Sequence, residues 1–186
     1  MDHTVTTTAR LVVRQFVDDD APFLHELHSR PEVFKPLEME PSADVAEELV
    51  RIRSFRNRFG LTGGFGIWAL ALRDGPLVGL IMLKPLRPLA DHDGMEIGWR
   101  LHPDFWRKGY ATEGATGLLA LAFSDRRLSE VFAVVMSTNE RSRAVADRIG
   151  MTRVGTLDYA GLPHELLRIG LDQWQSLPES RAPIVP

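Results

Sequence analysis

A short loop, residues 105–112, carries the residue types and spacing best suited to chemistry, and it reads Phe-Trp-Arg-Lys-Gly-Tyr-Ala-Thr. The loop follows a predicted strand, Met95–Leu101, and precedes an apolar helical pattern. Backbone N–H groups in such a loop converge at a helix N-terminus, where unbonded donors and the helix dipole both favour an anion. Gly109 and Ala111 have little or no side chain, so phosphate groups can approach the backbone closely. The loop predicts a phosphate-binding site, and an ordinary strand–turn–helix connection is the alternative.

Glu96, on the preceding strand, is the candidate for a proton acceptor. Side chains alternate between the two faces of a strand, and one face of this strand carries Glu96, Gly98 and Arg100. A carboxylate beside a glycine on a central strand is an unusual choice for a hydrophobic core. Glu96 is therefore predicted to act as a base, and a partly buried carboxylate paired with Arg100 or another arginine is the alternative.

The rest of the chain predicts alternating strands and helices that would position these residues. Helices are predicted after the run Asp18–Asp20, from Ser42 as N-cap to about Phe59, after Gly109, and from Asn139 as N-cap to Gly150. Strands are predicted at Leu11–Val17, Ile67–Arg73, Leu77–Leu83, Met95–Leu101, Val131–Met136, Thr152–Leu157 and Leu166–Leu171. This order favours one layered α/β domain over residues 1–186, with a poorly ordered tail at residues 177–186.

Composition excludes several classes of protein and site. The net charge of -3 argues against a general nucleic-acid binder. The absence of cysteine excludes disulfides, thiolate zinc sites and a cysteine nucleophile, and it fits a cytoplasmic location. The six histidines are scattered without metal-ligand spacing, and no apolar run is long enough to span a membrane, so neither a metal site nor a membrane partner is predicted. Cations near the loop suit an anionic ligand: Arg100, Arg107, Lys108, Arg141, Arg143 and Arg148.

The loop resembles the pyrophosphate loop of the Gcn5-related N-acetyltransferases, the GNAT family, which reads Gln/Arg-x-x-Gly-x-Gly/Ala. The corresponding run here is Trp106-Arg107-Lys108-Gly109-Tyr110-Ala111. The tryptophan at its first position resembles the loop of the branch that includes ribosomal-protein N-terminal acetyltransferases. The resemblance runs from about residue 9 to about residue 171. Further matching segments are Ala9–Arg14, Glu32-Val33, Glu96–Trp99, Asn139–Ser142 and Arg148–Met151.

This resemblance implies a single GNAT-like domain of the α/β (α+β layered) class. Its central sheet would be mixed but mostly antiparallel, with about six to seven strands flanked by about four helices and a core at about residues 9–171. The strands Met95–Leu101 and Val131–Met136 would diverge, and this splay would receive the pantetheine arm of coenzyme A.

The resemblance also implies a reaction: transfer of an acetyl group from acetyl-CoA to a primary amine by direct attack on the thioester. The partners would be acetyl-CoA and an amine acceptor, either a protein N-terminus or a small molecule, without nucleic acid. A homodimer is compatible with the sequence, which does not determine the oligomeric state. Near the last hairpin, Tyr159 and His164 would lie by the acceptor.

Residue roles follow from the resemblance position by position. Glu96 would be the base, directly or through water, and backbone N–H groups at the splay would polarise the thioester carbonyl. The tyrosine that many members use as proton donor is replaced by Ala146, so Ser142 becomes the candidate acid. The residues expected to bind the cofactor are Leu101, His102, Trp106, Arg107, Lys108, Gly109, Tyr110, Ala111, Thr112, Asn139, Ser142 and Arg148.

Two other functions stay open at this point. The missing tyrosine at Ala146 motivates a non-catalytic acyl-CoA-binding or regulatory module of the same fold, although Glu96 and Ser142 argue against it. An ATP-binding phosphate-loop protein is disfavoured, because the sequence has no Gly-Lys-Ser/Thr ending in its loop.

Overall fold

Alternating apolar side chains on the central strands supply two hydrophobic cores, one on each face of a sheet. The computed structural model describes residues 4–37, 39–59, 64–86, 94–159 and 161–178. The strands are β1 Thr4–Thr7, β2 Leu11–Arg14, β3 Gly66–Leu72, β4 Leu77–Pro85, β5 Met95–Leu101, β6 Glu130–Met136, β7 Thr152–Tyr159 and β8 Leu162–Gly170. The helices are α1 Ala21–His28, α2 Pro31–Phe34, α3 Val45–Phe59, α4 Tyr110–Ser124, α5 Glu140–Arg148 and α6 Leu171–Gln175.

The sheet is open and has the strand order β1-β2-β3-β4-β5-β6-β8-β7. Every neighbouring pair is antiparallel except β5 and β6, which are parallel and are connected through α4. The ladder between these two strands has one pair, Glu96 with Phe132. From this pair toward Leu101 and Met136, the facing edges of β5 and β6 have no ladder partners, which confirms the predicted splay.

The larger core lies on the face of α4 and α5. Trp68, Leu70 and Ile81 from the sheet pack there with Leu118 of α4, and all four side chains are buried. The smaller core joins the opposite face of the sheet to α1 and α3, where Ile52 is fully buried. Because side chains alternate between the two faces of each strand, one face of the sheet packs against α4 and α5 and the other against α1 and α3.

Several predicted bounds need correction. The sheet has eight strands rather than six to seven, because β1 lies before the predicted core and pairs with β2. Ser42 is not the N-cap of α3, because the helix begins at Val45 and the carboxylate of Asp44 accepts the Glu47 N–H at 2.8 Å. The last strand begins earlier than predicted, at Leu162, and Leu171 already belongs to α6. Most of the predicted tail, residues 179–186, lies outside the described residues.

No helix in the part of the chain that the structure describes combines the length and hydropathy needed to cross a bilayer.

A buried polar network connects α1, α3 and β5. His28 and Glu48 are both fully buried, with His28 Nδ1 2.9 Å from Glu48 Oε1. Nη1 of Arg100 lies 3.3 Å from His28 Nε2, and since a guanidinium only donates, Nε2 must accept and Nδ1 must carry the proton. Burial lowers the pKa of His28, and this effect outweighs the hydrogen bond with Glu48, which raises it. His28 is therefore a neutral link between a carboxylate and a guanidinium.

The free energy of unfolding should fall as the pH is lowered from about 7 toward about 5, in part because of His28. The unfolded chain takes up this proton near the ordinary pKa of 6.5, whereas the folded protein takes it up only at a lower pH. Each pKa unit of lowering contributes about 1.4 kcal/mol to this loss. Denaturant unfolding at several pH values should give a flatter dependence for His28→Gln than for the wild type. His25→Gln, also on α1, controls for loss of a histidine there, and equal slopes for wild type and His28→Gln would contradict the assignment.

Candidate functional site

The loop between β5 and α4 contains two residues in the left-handed conformation. Arg107 has φ 61° and Gly109 has φ 79°. The first backbone hydrogen bond of α4 runs from Glu113 N to Gly109 O at 2.9 Å. The amides of the residues before Glu113 therefore have no carbonyl of the helix to bond, and they present donors at the positive end of the helix dipole. This is the geometry of an anion site.

The loop is braced from the β1–β2 turn, which sequence reasoning did not identify. Glu113 Oε1 accepts from the hydroxyl of Thr8 at 2.6 Å and from the amide of Arg10 at 2.8 Å. The guanidinium of Arg10 bonds Glu113 Oε2 at 2.6 Å and the carbonyl of Lys108 at 3.1 Å, and it lies 4.7 Å from the ring centre of Tyr110. Burial favours a higher pKa for Glu113, but the hydrogen bonds from Thr8 and Arg10 outweigh burial and lower it. A charged Glu113 thus ties the β1–β2 turn to the first turn of α4, and Arg10 extends this tie to Lys108.

A cleft of about 850 Å³ opens beside this loop, between β5, α4, α5 and the segment around α2. It is lined by most of the residues predicted to bind the cofactor: Leu101, Trp106, Arg107, Gly109, Tyr110, Ala111, Thr112, Asn139, Ser142 and Arg148. We call it the donor cleft. The guanidinium of Arg141, which also lines it, stacks 4.1 Å from the ring centre of Trp106. Trp106 in turn donates its Nε1–H to the carbonyl of Leu101 at 2.8 Å.

Two predicted cofactor residues do not line the donor cleft. His102 is 4% exposed, and its Nδ1 accepts the Asp104 N–H at 3.3 Å, so it caps the short turn Pro103–Phe105. Lys108 places its Nζ 5.3 Å from the ring centre of Phe105. Their roles at the cofactor stay predictions, and the contacts of His102 are those of a structural residue.

The start of α5 brings Asn139 and Ser142 together beside the splay. Asn139 Oδ1 accepts the Ser142 N–H at 3.2 Å, which confirms the predicted N-cap. Ala146, where the resemblance implies a tyrosine in many family members, is fully buried in the larger core. Arg143 is directed to β8, where it pairs with Glu165 at 3.1 Å. Three polar residues of α5 line the donor cleft, namely Arg141, Ser142 and Arg148.

A second cleft of about 570 Å³ lies on the other side of the splay and is called the acceptor cleft below. Glu96 lines it and forms an ion pair with Lys84, its direct partner across β4 and β5, and not with Arg100 or another arginine, which was the alternative to its role as a base. The Glu96 side chain is 13% exposed. His164 also lines the cleft, with its Nδ1 3.0 Å from the carbonyl of Leu162.

The two clefts meet at residues that line both: Pro36, Leu37, Trp99, Arg100, Asn139 and Ser142. The donor cleft therefore contains the loop with its free amides, the diverging strands β5 and β6 lie beside the junction, and the Glu96 carboxylate lines the acceptor cleft. This arrangement suits transfer of a group from a phosphate-bearing carrier to an acceptor in the second cleft. Within the described ranges, no cluster of side chains could hold a metal ion.

The sequence is similar to those of known acetyltransferases. Residues 10–152 match the model of the acetyltransferase (GNAT) domain. The chain is 32% identical over 157 residues to the FsC-acetyl coenzyme A-N(2)-transacetylase of Aspergillus fumigatus, a match that covers 80% of this chain but 65% of that protein. It is 31% identical over 150 residues to an uncharacterized N-acetyltransferase of Bacillus subtilis, YnaD, covering 80% and 83% of the two chains.

A solved structure extends the likeness to the whole fold. RimL, the ribosomal L7/L12 alpha-N-protein acetyltransferase, superposes with a TM-score of 0.74 over 92% of this chain and 96% of its own. The two are 15% identical, so this likeness concerns the fold.

Gly109→Glu should weaken binding of acetyl-CoA by about 100-fold or more, because it places a carboxylate against an anion site. Calorimetric titration measures the effect, with ATP as the control ligand that the wild type should not bind. Gly161→Glu is the matched variant, because Gly161 also has a positive φ, of 81°, but lies in the β7–β8 turn with open space around it. Both variants carry the same backbone strain, so equal loss of binding in both would contradict the site.

Proposed function

Because the chain belongs to the GNAT acetyltransferase family, we propose that it transfers the acetyl group of acetyl-CoA to a primary amine by direct attack on the thioester. The observation that carries the proposal is the junction of the two clefts at the splay of β5 and β6. Donor and acceptor can meet there from opposite sides of one strand. The chain spans 65% of the length of its fungal relative, and the acceptor of that protein is not carried over.

The donor cleft would hold coenzyme A mainly through the backbone. The amides of residues 107–112 would bind the pyrophosphate, and Arg141 and Arg148, which line the same cleft, would add positive charge. The unpaired edges of β5 and β6 would bond the amide groups of the pantetheine arm, as an added strand does. When bound, the thioester supplies the activated acetyl group.

Glu96 is proposed as the base. An amine must lose a proton before or during attack, and most amines are protonated at neutral pH. Glu96 lines the acceptor cleft on the strand whose edge faces the donor cleft, and Lys84 fixes the orientation of its carboxylate. Lys84 also competes for that carboxylate, so proton transfer through a bridging water is as compatible with the geometry as direct transfer.

Ser142 is proposed as the proton donor to the departing thiolate. Ser142 lines both clefts. The side chain of Asn139 accepts the Ser142 N–H, and this bond holds the first turn of α5 at the junction. Backbone N–H groups at the diverging edge of β5 would polarise the thioester carbonyl. We further propose one acetyltransferase domain over the chain, a cytoplasmic location, and a homodimer as the state to test.

The second candidate function is a non-catalytic acyl-CoA-binding or regulatory module. Two observations favour it: the Glu96 carboxylate is already ion-paired with Lys84, and the tyrosine position is a buried alanine, Ala146. Tight binding of acetyl-CoA without turnover on a broad panel of amines would select this function over catalysis.

Glu96→Gln should lower kcat on an accepted amine by about 100-fold or more at neutral pH, because the amide cannot take a proton. Binding of acetyl-CoA should stay as in the wild type, since Glu96 lines the acceptor cleft only. Release of free thiol measures the rate. Glu130→Gln is the matched control, because Glu130 is also a strand carboxylate in an ion pair, with Arg168, outside both clefts. An unchanged rate in Glu96→Gln would remove Glu96 as the base.

Ser142→Ala should lower kcat by about 10- to 100-fold, since a thiolate needs less assistance than other leaving groups. The Asn139 cap bonds the backbone N–H of residue 142, so the helix should keep its thermal stability. Ser124→Ala, at the end of α4, controls for loss of a helix hydroxyl. A wild-type rate in Ser142→Ala would mean that the thiolate leaves unassisted or takes its proton from water.

A further inference from the structure

The acceptor cleft has an excess of cations among the residues that the structure describes. Four basic side chains line it, and Glu96 is the single carboxylate among them; the basic residues are Arg51, Arg58, Lys84 and Arg100. One face of α3 supplies Arg51 and Arg58, and the sheet supplies Lys84 and Arg100. A cleft of this charge disfavours polyamines and other polycations as acceptors.

Two of these cations are already neutralised. Lys84 pairs with Glu96. Arg51 pairs with Glu47 at 2.7 Å and with Glu48 at 3.1 Å. Among the described residues, no carboxylate lies within ion-pair distance of the other two, Arg58 and Arg100. The excess charge of the cleft therefore resides on these two guanidinium groups.

Arg100 is held in place by a neutral partner. It donates to His28, and the same network continues through Glu48 to Arg51. Burial, reinforced by the charge of Arg51, lowers the pKa of Arg100 to about 10, which still leaves it charged at neutral pH. A half-buried cation bonded only to a neutral imidazole destabilises the protein unless an anion also binds the cation. Because Arg100 lines both clefts, that anion would lie next to the reacting groups.

The walls of the acceptor cleft are apolar. Phe55 and Phe59 of α3 line it together with Ile67, Leu80 and Met82 of the sheet. Phe55 lies three residues before Arg58 and four before Phe59, so it neighbours both on the surface of α3. A ligand in this cleft would thus meet an apolar surface beside two guanidinium groups.

We propose that the acceptor is a small primary amine that carries a carboxylate and an apolar side chain, as an α-amino acid does, and that Arg100 and Arg58 bind its carboxylate. The inference rests on the acetyltransferase function proposed above and names its substrate class. A guanidinium binds a carboxylate through two parallel hydrogen bonds, which orients the molecule as well as attracting it. The apolar side chain would pack against Phe55 and Phe59.

The reaction balances without a further reactant. The amine nitrogen forms a bond to the acetyl carbon, and the carbon–sulfur bond of the thioester breaks. Glu96 receives the proton that the nitrogen loses and releases it to water, and the thiolate takes a proton from Ser142, which regains one from water, so the two transfers cancel. The carboxylate of the acceptor is unchanged in the N-acetyl product, so it serves only for recognition.

The test compares acceptors that differ only in the carboxylate: phenylalanine, phenylalaninamide and phenethylamine, with spermidine as the polycation. Thiol release from acetyl-CoA gives kcat/KM for each. The amine of the amide loses its proton more readily, so without carboxylate recognition the amide should react faster. We expect phenylalanine to exceed the amide and phenethylamine by about 10- to 100-fold.

Arg58→Gln should reduce this preference by about tenfold while leaving the KM for acetyl-CoA unchanged. The exposed Arg58 can be replaced without disturbing the buried network, so the test stands even where Arg100→Gln lowers stability. Arg53→Gln is the matched control on α3, because Arg53 pairs with Asp18 outside both clefts, and it should keep the full preference.

Three outcomes would overturn the proposal. Phenethylamine or spermidine could be the better substrate, or Arg100→Gln could raise the KM for acetyl-CoA and leave the preference among amines intact. A peptide that begins with phenylalanine could also be acetylated with a higher kcat/KM than phenylalanine, which would identify protein N-termini as the acceptors. In each case acetyl transfer itself persists. Failure of the underlying function looks different, because then no amine is acetylated while acetyl-CoA binding is retained.

Discussion

The divergence of β5 from β6 is the constraint on which the site depends. Parallel neighbours in a sheet normally satisfy each other's backbone groups along their whole length, but these strands share a single pair, Glu96 with Phe132. The divergence creates two facing edges with unused donors and acceptors, and it separates a donor cleft from an acceptor cleft. Because Glu96 sits at the point where pairing stops, the proposed base lies where the two clefts approach each other.

Such an opening is useful only if its borders are rigid, and two polar networks provide this. At the phosphate end, the charged Glu113 ties the β1–β2 turn to the first turn of α4 through Thr8 and Arg10. At the acceptor end, His28 and Glu48 anchor Arg100 of β5 to α1 and α3. Each network joins segments far apart in the chain, and a shift of either would break a hydrogen bond of a buried side chain, Thr8 in the first and His28 in the second.

Features set by local chemistry could be predicted from the sequence, and those set by distant partners could not. The alternation along β5 placed Glu96 and Arg100 on one face, the Asn139 cap follows from its position, and Gly109 has the positive φ that its loop requires. Ser42 is wrong as the N-cap of α3 because serine and aspartate both suit a cap, so residue type alone does not separate Ser42 from Asp44. The pairing of Thr8 and Arg10 with Glu113 spans about a hundred residues and has no sequence signal.

The same distinction applies to the cations near the site. The sequence shows many arginines, but the chemistry depends on which of them keep a carboxylate partner. Arg143 pairs with Glu165 and Arg51 with Glu47 and Glu48, so these charges are largely cancelled within the fold. Arg100 instead meets a neutral His28, although Glu48 lies one residue further along the same network. By using an imidazole as the spacer, the fold orients a guanidinium without neutralising it, and the charge stays available to a ligand at the junction of the two clefts.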